Sequence, residues 1–192
     1  MGEPKLKEGS RYTKEEYLAM EAESHEKLEF YDGTIRAMSG GTRNHASICA
    51  HCVNALINAI DNGPCATFGS ELKVYSASAN AYFYPDALVV CGDEQLQEGR
   101  DDVLLNPTLI LEVLSPSTMS YDFVQKFDRY KRIPSLQEYV LVSQDQPRVE
   151  VRAATNNWGH IRTYEGLDAT ATFSSLNLQI PLTHFYRRVS FQ

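Results

Sequence analysis

The run TLILEVL, residues 108–114, sets one carboxylate, Glu112, inside an otherwise apolar segment. Short runs rich in Leu, Ile and Val read as strands covered on both faces of a sheet. An ionised carboxylate costs several kcal/mol to take out of water even after the protein relaxes around it, so Glu112 must be protonated, paired or bound to a cation. Any fold built on this strand has to bring Glu112 a partner. A second run, YFYPDALVV at residues 82–90, has the same character, with Asp86 following Pro85 at the head of ALVV.

The 192 residues, 43% hydrophobic, suit one domain over residues 1–192, with enough core to cover such strands. Eighteen Lys and Arg against 25 Asp and Glu give a formal net charge of -7. The surface as a whole therefore repels a phosphate backbone, and contact with nucleic acid must come from a local basic patch. Cys49, Cys52, Cys65 and Cys91 do not make a disulfide framework in a chain of this length, and MGEPKLKEGSRYTKEEY lacks the apolar segment of a signal peptide. The expected location is the cytoplasm. No stretch approaches the roughly 18 consecutive apolar residues of a membrane-spanning helix.

Thr13 and Glu16 have capping-box spacing, which predicts a helix over residues 13–22. Strand-like segments at 27–31 and 34–39 flank Asp32-Gly33, a two-residue hairpin turn. Asn44 is the expected cap of a helix over 44–61, whose apolar stripe is Ile48, Cys52, Ala55, Leu56 and Ala59, with Gly63 as its stop. Period-two runs follow in CATFG, ELKVYS and YFYPDALVV, where Pro85 marks a strand edge or bulge. CGDEQLQEGRDDVLLN reads as a long loop. After TLILEV, Pro116 stops the strand, a helix covers 120–132, and QEYVLVS, RVEVRAA, HIRTYEG and LNLQI are strands before a last helical turn near PLTHFYRR. The order of elements predicts an α/β (α+β) fold, a mixed β-sheet with helices packed on it.

Asp86 and Glu112 lie on separate strands that one sheet can bring side by side, and two carboxylates are enough to hold Mg²⁺ alongside waters and substrate phosphates. The other reading of these acids is a structural ion pair, or a strand-end acid bonded to backbone N–H groups. Cleaving a phosphodiester also requires positive charge near the developing oxyanion. Lys126 is placed for this, at the border of the helix face made by Phe123, Phe127 and Tyr130, from which its stem can reach the preceding strand. Arg129, Lys131 and Arg132 form the one concentrated basic patch, interrupted by Asp122 and Asp128. DNA would approach over it. His45, near a helix start, is a candidate contact to phosphate or a support for the metal site.

Pro85-Asp86, LEVLSPST at 111–118, the D-x-x-x-K-x-x-x-Y spacing of Asp122, Lys126 and Tyr130, and PSLQEYVLV at 134–142 together resemble the Uma-type family of restriction-endonuclease-like proteins. That family falls within the PD-(D/E)XK nuclease superfamily and abounds in cyanobacteria. The likeness runs over residues 12–185 and includes LEFYDG and MSGGTRNH. It implies a restriction-endonuclease-like core and a Mg²⁺-dependent DNA endonuclease, with Mn²⁺ able to substitute. It further implies Asp86 and Glu112 as metal ligands, the Val113 backbone carbonyl as a third, Glu29 as an additional acid on an early element and Lys126 as the catalytic lysine. The superfamily's lysine usually lies two residues after the second acid, where this chain has Leu114. If Lys126 does not reach the site, the fold is kept and the chemistry lost, leaving a catalytically inactive module that binds nucleic acid or protein. An acidic monomer cutting both strands of a duplex suits a homodimer, since two-fold symmetry matches that of the substrate.

Other chemistries are less well supported. His45, Cys49 and Cys52 share one helix at i, i+4, i+7, but tetrahedral zinc needs more ligands, no second pair stands near in sequence, and Cys52 belongs to the apolar stripe. Cys49 is too far inside its helix for a C-x-x-C redox site, Gly40-Gly41 lacks the Gly-Lys-Ser/Thr of a P-loop, and Ser115 and Ser117 sit in no G-x-S-x-G elbow. A glycosidase using Asp86 and Glu112 needs an aromatic sugar cleft, and the sole tryptophan, Trp158, lies in a late hairpin.

Overall fold

The computed structural model describes residues 10–38, 40–60, 63–114 and 121–191, with side chains from residue 124 onward in the last segment. The expectations for Ser39, Asp61, Ser115, Pro116, Ser117 and the side chains of Asp122 and Phe123 lie outside the described residues. Thr13 caps α1 (Lys14–Glu23): its Oγ1 accepts from the Glu16 N–H at 3.1 Å, while the Glu16 carboxylate accepts from the Thr13 N–H at 2.7 Å. Asp32 and Gly33, at φ 46° and 84°, turn β1 (Leu28–Tyr31) into β2 (Thr34–Ala37), the left-handed pair that a tight hairpin requires.

Helix α2 (Arg43–Ile60) starts two residues earlier than a cap at Asn44 gives. Thr42 is the cap, because its hydroxyl reaches the His45 N–H three residues on at 3.1 Å, and the Asn44 amide instead donates to the Ser190 carbonyl at 3.0 Å. There follow β3 (Cys65–Gly69), β4 (Lys73–Ser76), β5 (Ala81–Phe83), β6 (Ala87–Cys91), β7 (Val103–Leu104) and β8 (Leu109–Leu114). β7 breaks the expected long loop: two apolar residues there pair in parallel with β4. The expected helix over 120–132 is a π-helical turn, Tyr121–Lys126, leading into α3 (Phe127–Tyr130). Then come β9 (Glu138–Ser143), β10 (Arg148–Ala153), β11 (Ile161–Glu165), β12 (Thr170–Phe173), β13 (Leu178–Pro181) and α4 (Leu182–Phe185).

Where the sequence predicts one mixed sheet, the described residues form three. Their strand orders are β2-β1-β5-β4-β7, β11-β10-β9-β8-β6-β3 and β12-β13. Pro85 stands between β5 of the first and β6 of the second, so it marks a crossover between sheets rather than a bulge within one. Alternation sorts the side chains into layers. Val89, Leu111, Val113, Val140 and Val142 pack with Ile48, Cys52 and Leu56 of α2. Leu88, Val90, Ile110, Leu114 and Leu141 face the other way, against Phe83 of the first sheet and Phe127 and Tyr130 of α3. The far side of the first sheet is closed by Tyr17 of α1 on Phe30 and Tyr82. β8 is covered on both faces, as its continuous apolar run requires.

The cysteines depart from expectation in one respect. Cys65 and Cys91 are register partners of antiparallel β3 and β6, which brings the two sulfurs together, and they form a disulfide. Among the described residues no helix is long and apolar enough to cross a membrane.

Candidate active site

By alternation along β8, Glu112 shares its face with Ile110 and Leu114 and enters the layer between the two large sheets, where it is 3% exposed. Its partners come from the next segment of chain. The Tyr130 hydroxyl donates to Glu112 Oε1 at 3.0 Å, and Lys126 Nζ lies 3.3 Å from the same oxygen. Lys126 lies inside the buried layer rather than at the border of the apolar helix face. It is 4% exposed, with its ammonium 5.8 Å from the Phe83 ring centroid. The same ammonium lies 2.9 Å from Glu29 Oε1. Glu29, on β1 of the first sheet, is 2% exposed and also accepts from the Tyr84 N–H at 3.3 Å. Burial, then the charges of Glu112 and Glu29, push the Tyr130 hydroxyl well above its ordinary pKa, which keeps it a donor.

Asp86 stands just before β6. Continuing the register of Ala87 with Leu111 by one step sets it opposite Glu112. Its Oδ2 accepts from the Val113 N–H at 2.7 Å and lies 3.6 Å from His45 Nε2. Glu112 thus turns toward α3 and Glu29, and Asp86 toward α2. Both still act on Cys49, whose thiol is pushed up first by burial, then by Asp86 and more weakly by Glu112. Cys49 Sγ is 3.5 Å from His45 Nδ1, across one turn of α2. The ring is hemmed in by Gly41, where a Cβ would lie 2.7 Å from His45 Nδ1.

The basic patch is less free than its composition suggests. Lys131 and Arg132 both pair with Asp128, at 2.9 and 2.7 Å, and Arg129 stacks over Tyr31 at 4.5 Å while donating to the Gln125 carbonyl. Two participants have no site role in the sequence reading. Tyr130 enters the sequence reading as an apolar face residue and as the last position of the D-x-x-x-K-x-x-x-Y spacing, without a partner for the hydroxyl, which must find one once buried. Cys49 was set aside for want of further ligands, and its neighbour Asp86 comes from a distant strand.

Residues 14–183 match the Uma2 family, whose description is "Putative restriction endonuclease". The chain belongs to that family. It is similar to two proteins of Synechocystis sp. (strain ATCC 27184 / PCC 6803 / Kazusa). One, the uncharacterized protein slr1290, is 34% identical over 179 residues, covering 92% of each chain. The other, the uncharacterized protein sll1609, is 36% identical over 138 residues, covering 72% of this chain and 78% of that one. A crystal structure from Anabaena variabilis ATCC 29413, described as a putative nuclease belonging to DUF820, superposes with a TM-score of 0.76 at 18% identity, over 91% of this chain and 97% of the other. The fold of this Uma2 protein is therefore the mixed α+β, restriction-endonuclease-like one its motifs imply, and the family points to a divalent cation and to DNA.

Proposed function

We propose that this Uma2 protein is a Mg²⁺-dependent DNA endonuclease in which Asp86 and Glu112 hold the cation, with the Val113 carbonyl as third ligand and Glu29 as an additional acid. The observation that carries the reading is one buried ammonium on two buried acids: Lys126 Nζ at 3.3 Å from Glu112 and 2.9 Å from Glu29. A lysine absent from its usual place at Leu114 still meets the second acid from the following turn. The donors suit the ion, since Asp86, Glu112 and the Val113 carbonyl offer hard oxygens, and the β6–β8 register continued by one step sets Asp86 opposite Glu112. Mn²⁺ takes the same ligand types.

When bound, such a cation supplies charge stabilisation at the scissile phosphate and lowers the pKa of an attacking water. Lys126 holds positive charge where the pentavalent phosphate develops negative charge. Tyr130 fixes the Glu112 carboxylate, and the Val113 N–H does the same for Asp86. DNA meets Arg129, Lys131 and Arg132, with phosphates replacing Asp128 as the partner of the last two. A homodimer would present two such sites to a duplex, in the cytoplasm.

One feature favours the second reading, a non-catalytic nucleic-acid or protein-interaction module: Asp128 neutralises part of the only concentrated basic patch. Supercoiled plasmid incubated with purified protein and Mg²⁺ or Mn²⁺ separates the two. Cutting that stops with chelator, and in Glu112→Ala, supports the enzyme. Binding without cutting across metals and DNA substrates would overturn it in favour of the module.

A further inference from the structure

We propose that His45, Cys49 and Asp86 form a second metal site, for a borderline transition-metal ion of the Zn²⁺ class, on the α2 side of Asp86. The site itself needs no nuclease activity; only its consequence, competition with Mg²⁺ for Asp86, rests on the function proposed above. His45 and Cys49 stand at i and i+4 of one helix, the spacing that sets two ligands on one face, one turn apart. Asp86 closes the triangle from the head of β6. Ligand atoms from the three residues lie within 4.8 Å of one another, the one such group of His, Cys, Asp and Glu among the described residues.

Cys49 Sγ to His45 Nδ1 is 3.5 Å and His45 Nε2 to Asp86 Oδ2 is 3.6 Å. Bonds of roughly 2.0–2.3 Å in a tetrahedron put neighbouring ligands about 3.3–3.8 Å apart, the range at which the Cys49 sulfur and the Asp86 oxygen each stand from one nitrogen of the ring. One ring nitrogen coordinates, and the three side chains close on the ion from ligand atoms no more than 4.8 Å apart.

The surroundings hold these side chains in place. The Val113 N–H fixes Asp86 Oδ2 at 2.7 Å, an orienting contact from outside the ligand set. Gly41 leaves the imidazole its space, because any Cβ there would collide with His45 Nδ1. The donor types select the ion: thiolate and imidazole suit Zn²⁺ or Co²⁺ and are poor ligands for Mg²⁺. Cys52, fully buried in the core, takes no part. Three protein ligands leave a fourth position for water or a phosphate oxygen. Zn²⁺ here occupies Asp86 and so opposes Mg²⁺ at the oxygen site.

Co²⁺ serves as a visible probe. Titrated into the full chain with the Cys65–Cys91 disulfide left oxidised, it should raise a thiolate-to-cobalt charge-transfer band that saturates at a single equivalent and is displaced by Zn²⁺. The band should vanish in Cys49→Ser and His45→Gln, weaken at least about tenfold in affinity in Gly41→Ala, and persist in Cys52→Ala and Glu112→Gln, with circular dichroism verifying that each variant folds. Absence of the band in the folded wild type at saturating Co²⁺, or its survival in Cys49→Ser, overturns the site. Cobalt binding by a protein that, freed of cobalt, cuts no plasmid with Mg²⁺ or Mn²⁺ refutes the nuclease reading alone, and cutting without cobalt binding refutes this site alone.

Discussion

Replacing Lys126 by Met tests the central arrangement most directly. The side chain keeps an unbranched apolar stem and loses only the ammonium. Glu29 and Glu112 each place an oxygen on that ammonium, at 2.9 and 3.3 Å, so the two oxygens lie within roughly 6 Å of each other. At an effective dielectric near 20, two bare charges at that separation repel by about 3 kcal/mol. Both carboxylates are almost wholly out of water, so little solvent screens them. Removing one partner of a buried pair typically costs about 3–5 kcal/mol, and a double claim on one ammonium places Lys126→Met toward the upper end.

A domain of this kind has about 5–15 kcal/mol of stability in total, so the loss is large enough to read from a shifted denaturant midpoint at unchanged slope. The double variant Lys126→Met with Glu29→Gln should recover a substantial part of the loss, because one of the two repelling charges is gone. In a double-mutant cycle this appears as a coupling of about 1–3 kcal/mol. A loss below about 1 kcal/mol, with no recovery on adding Glu29→Gln, would mean that the carboxylates do not depend on the ammonium, and the site as described would fail.

Two further outcomes follow from neighbouring groups. Tyr130→Phe removes the 3.0 Å donation to Glu112 and should cost about 1–3 kcal/mol in urea titration, as expected for a buried hydrogen bond to a charged group, while lowering any plasmid-cutting rate. Asp102, bound bidentately by Arg100 at 2.8 and 2.7 Å and also by Lys73, has its carboxyl lowered from 3.8 to about 2, chiefly by the Arg100 hydrogen bonds. A depressed carboxyl contributes stability that is present above its ordinary pKa and lost as pH falls through the depressed value, so Asp102→Asn should flatten the decline of stability between about pH 4 and pH 2. At 38% exposed its contribution is screened and stays below about 1 kcal/mol, and acid titrations of wild type and variant with parallel slopes would contradict it.

The parts of the fold that were legible in the sequence are those decided by near neighbours. Thr13 and Glu16 cap each other three residues apart, Asp32-Gly33 needs only its own positive φ angles, and LILEVL declares a doubly covered strand by composition. The requirement that Glu112 find a partner followed from the cost of burial, and Lys126 met it. What was not legible depends on how distant segments dock. Nothing local to YFYPDALVV says that the chain changes sheets at Pro85, since both halves have the same period. The π-helical turn before Phe127 alters which side chains face inward, and it drew Lys126 from the border of a face into the interior. Cys65 and Cys91 are joined because β3 and β6 pair in one particular register. His45 and Cys49 lacked a third ligand in the sequence for the same reason: Asp86 reaches them only once α2 lies across the end of β6.

The displacement of the lysine from the strand has a physical account in the layering. Positions 110, 112 and 114 share a face of β8, so a lysine in place of Leu114 would project into the layer that also receives Leu141, Phe127 and Tyr130. Its ammonium could reach back toward Glu112, but it would start from the second sheet and run along that sheet's own surface. Lys126 enters from the turn before α3, between the sheets, and there one ammonium serves Glu112 of the second sheet and Glu29 of the first. On the function proposed above, the charge that the chemistry requires is also a tie between two layers of the fold. That dual duty explains why Glu29, on an early hairpin that contributes no strand to the sheet of Glu112, is as thoroughly buried as Glu112 itself.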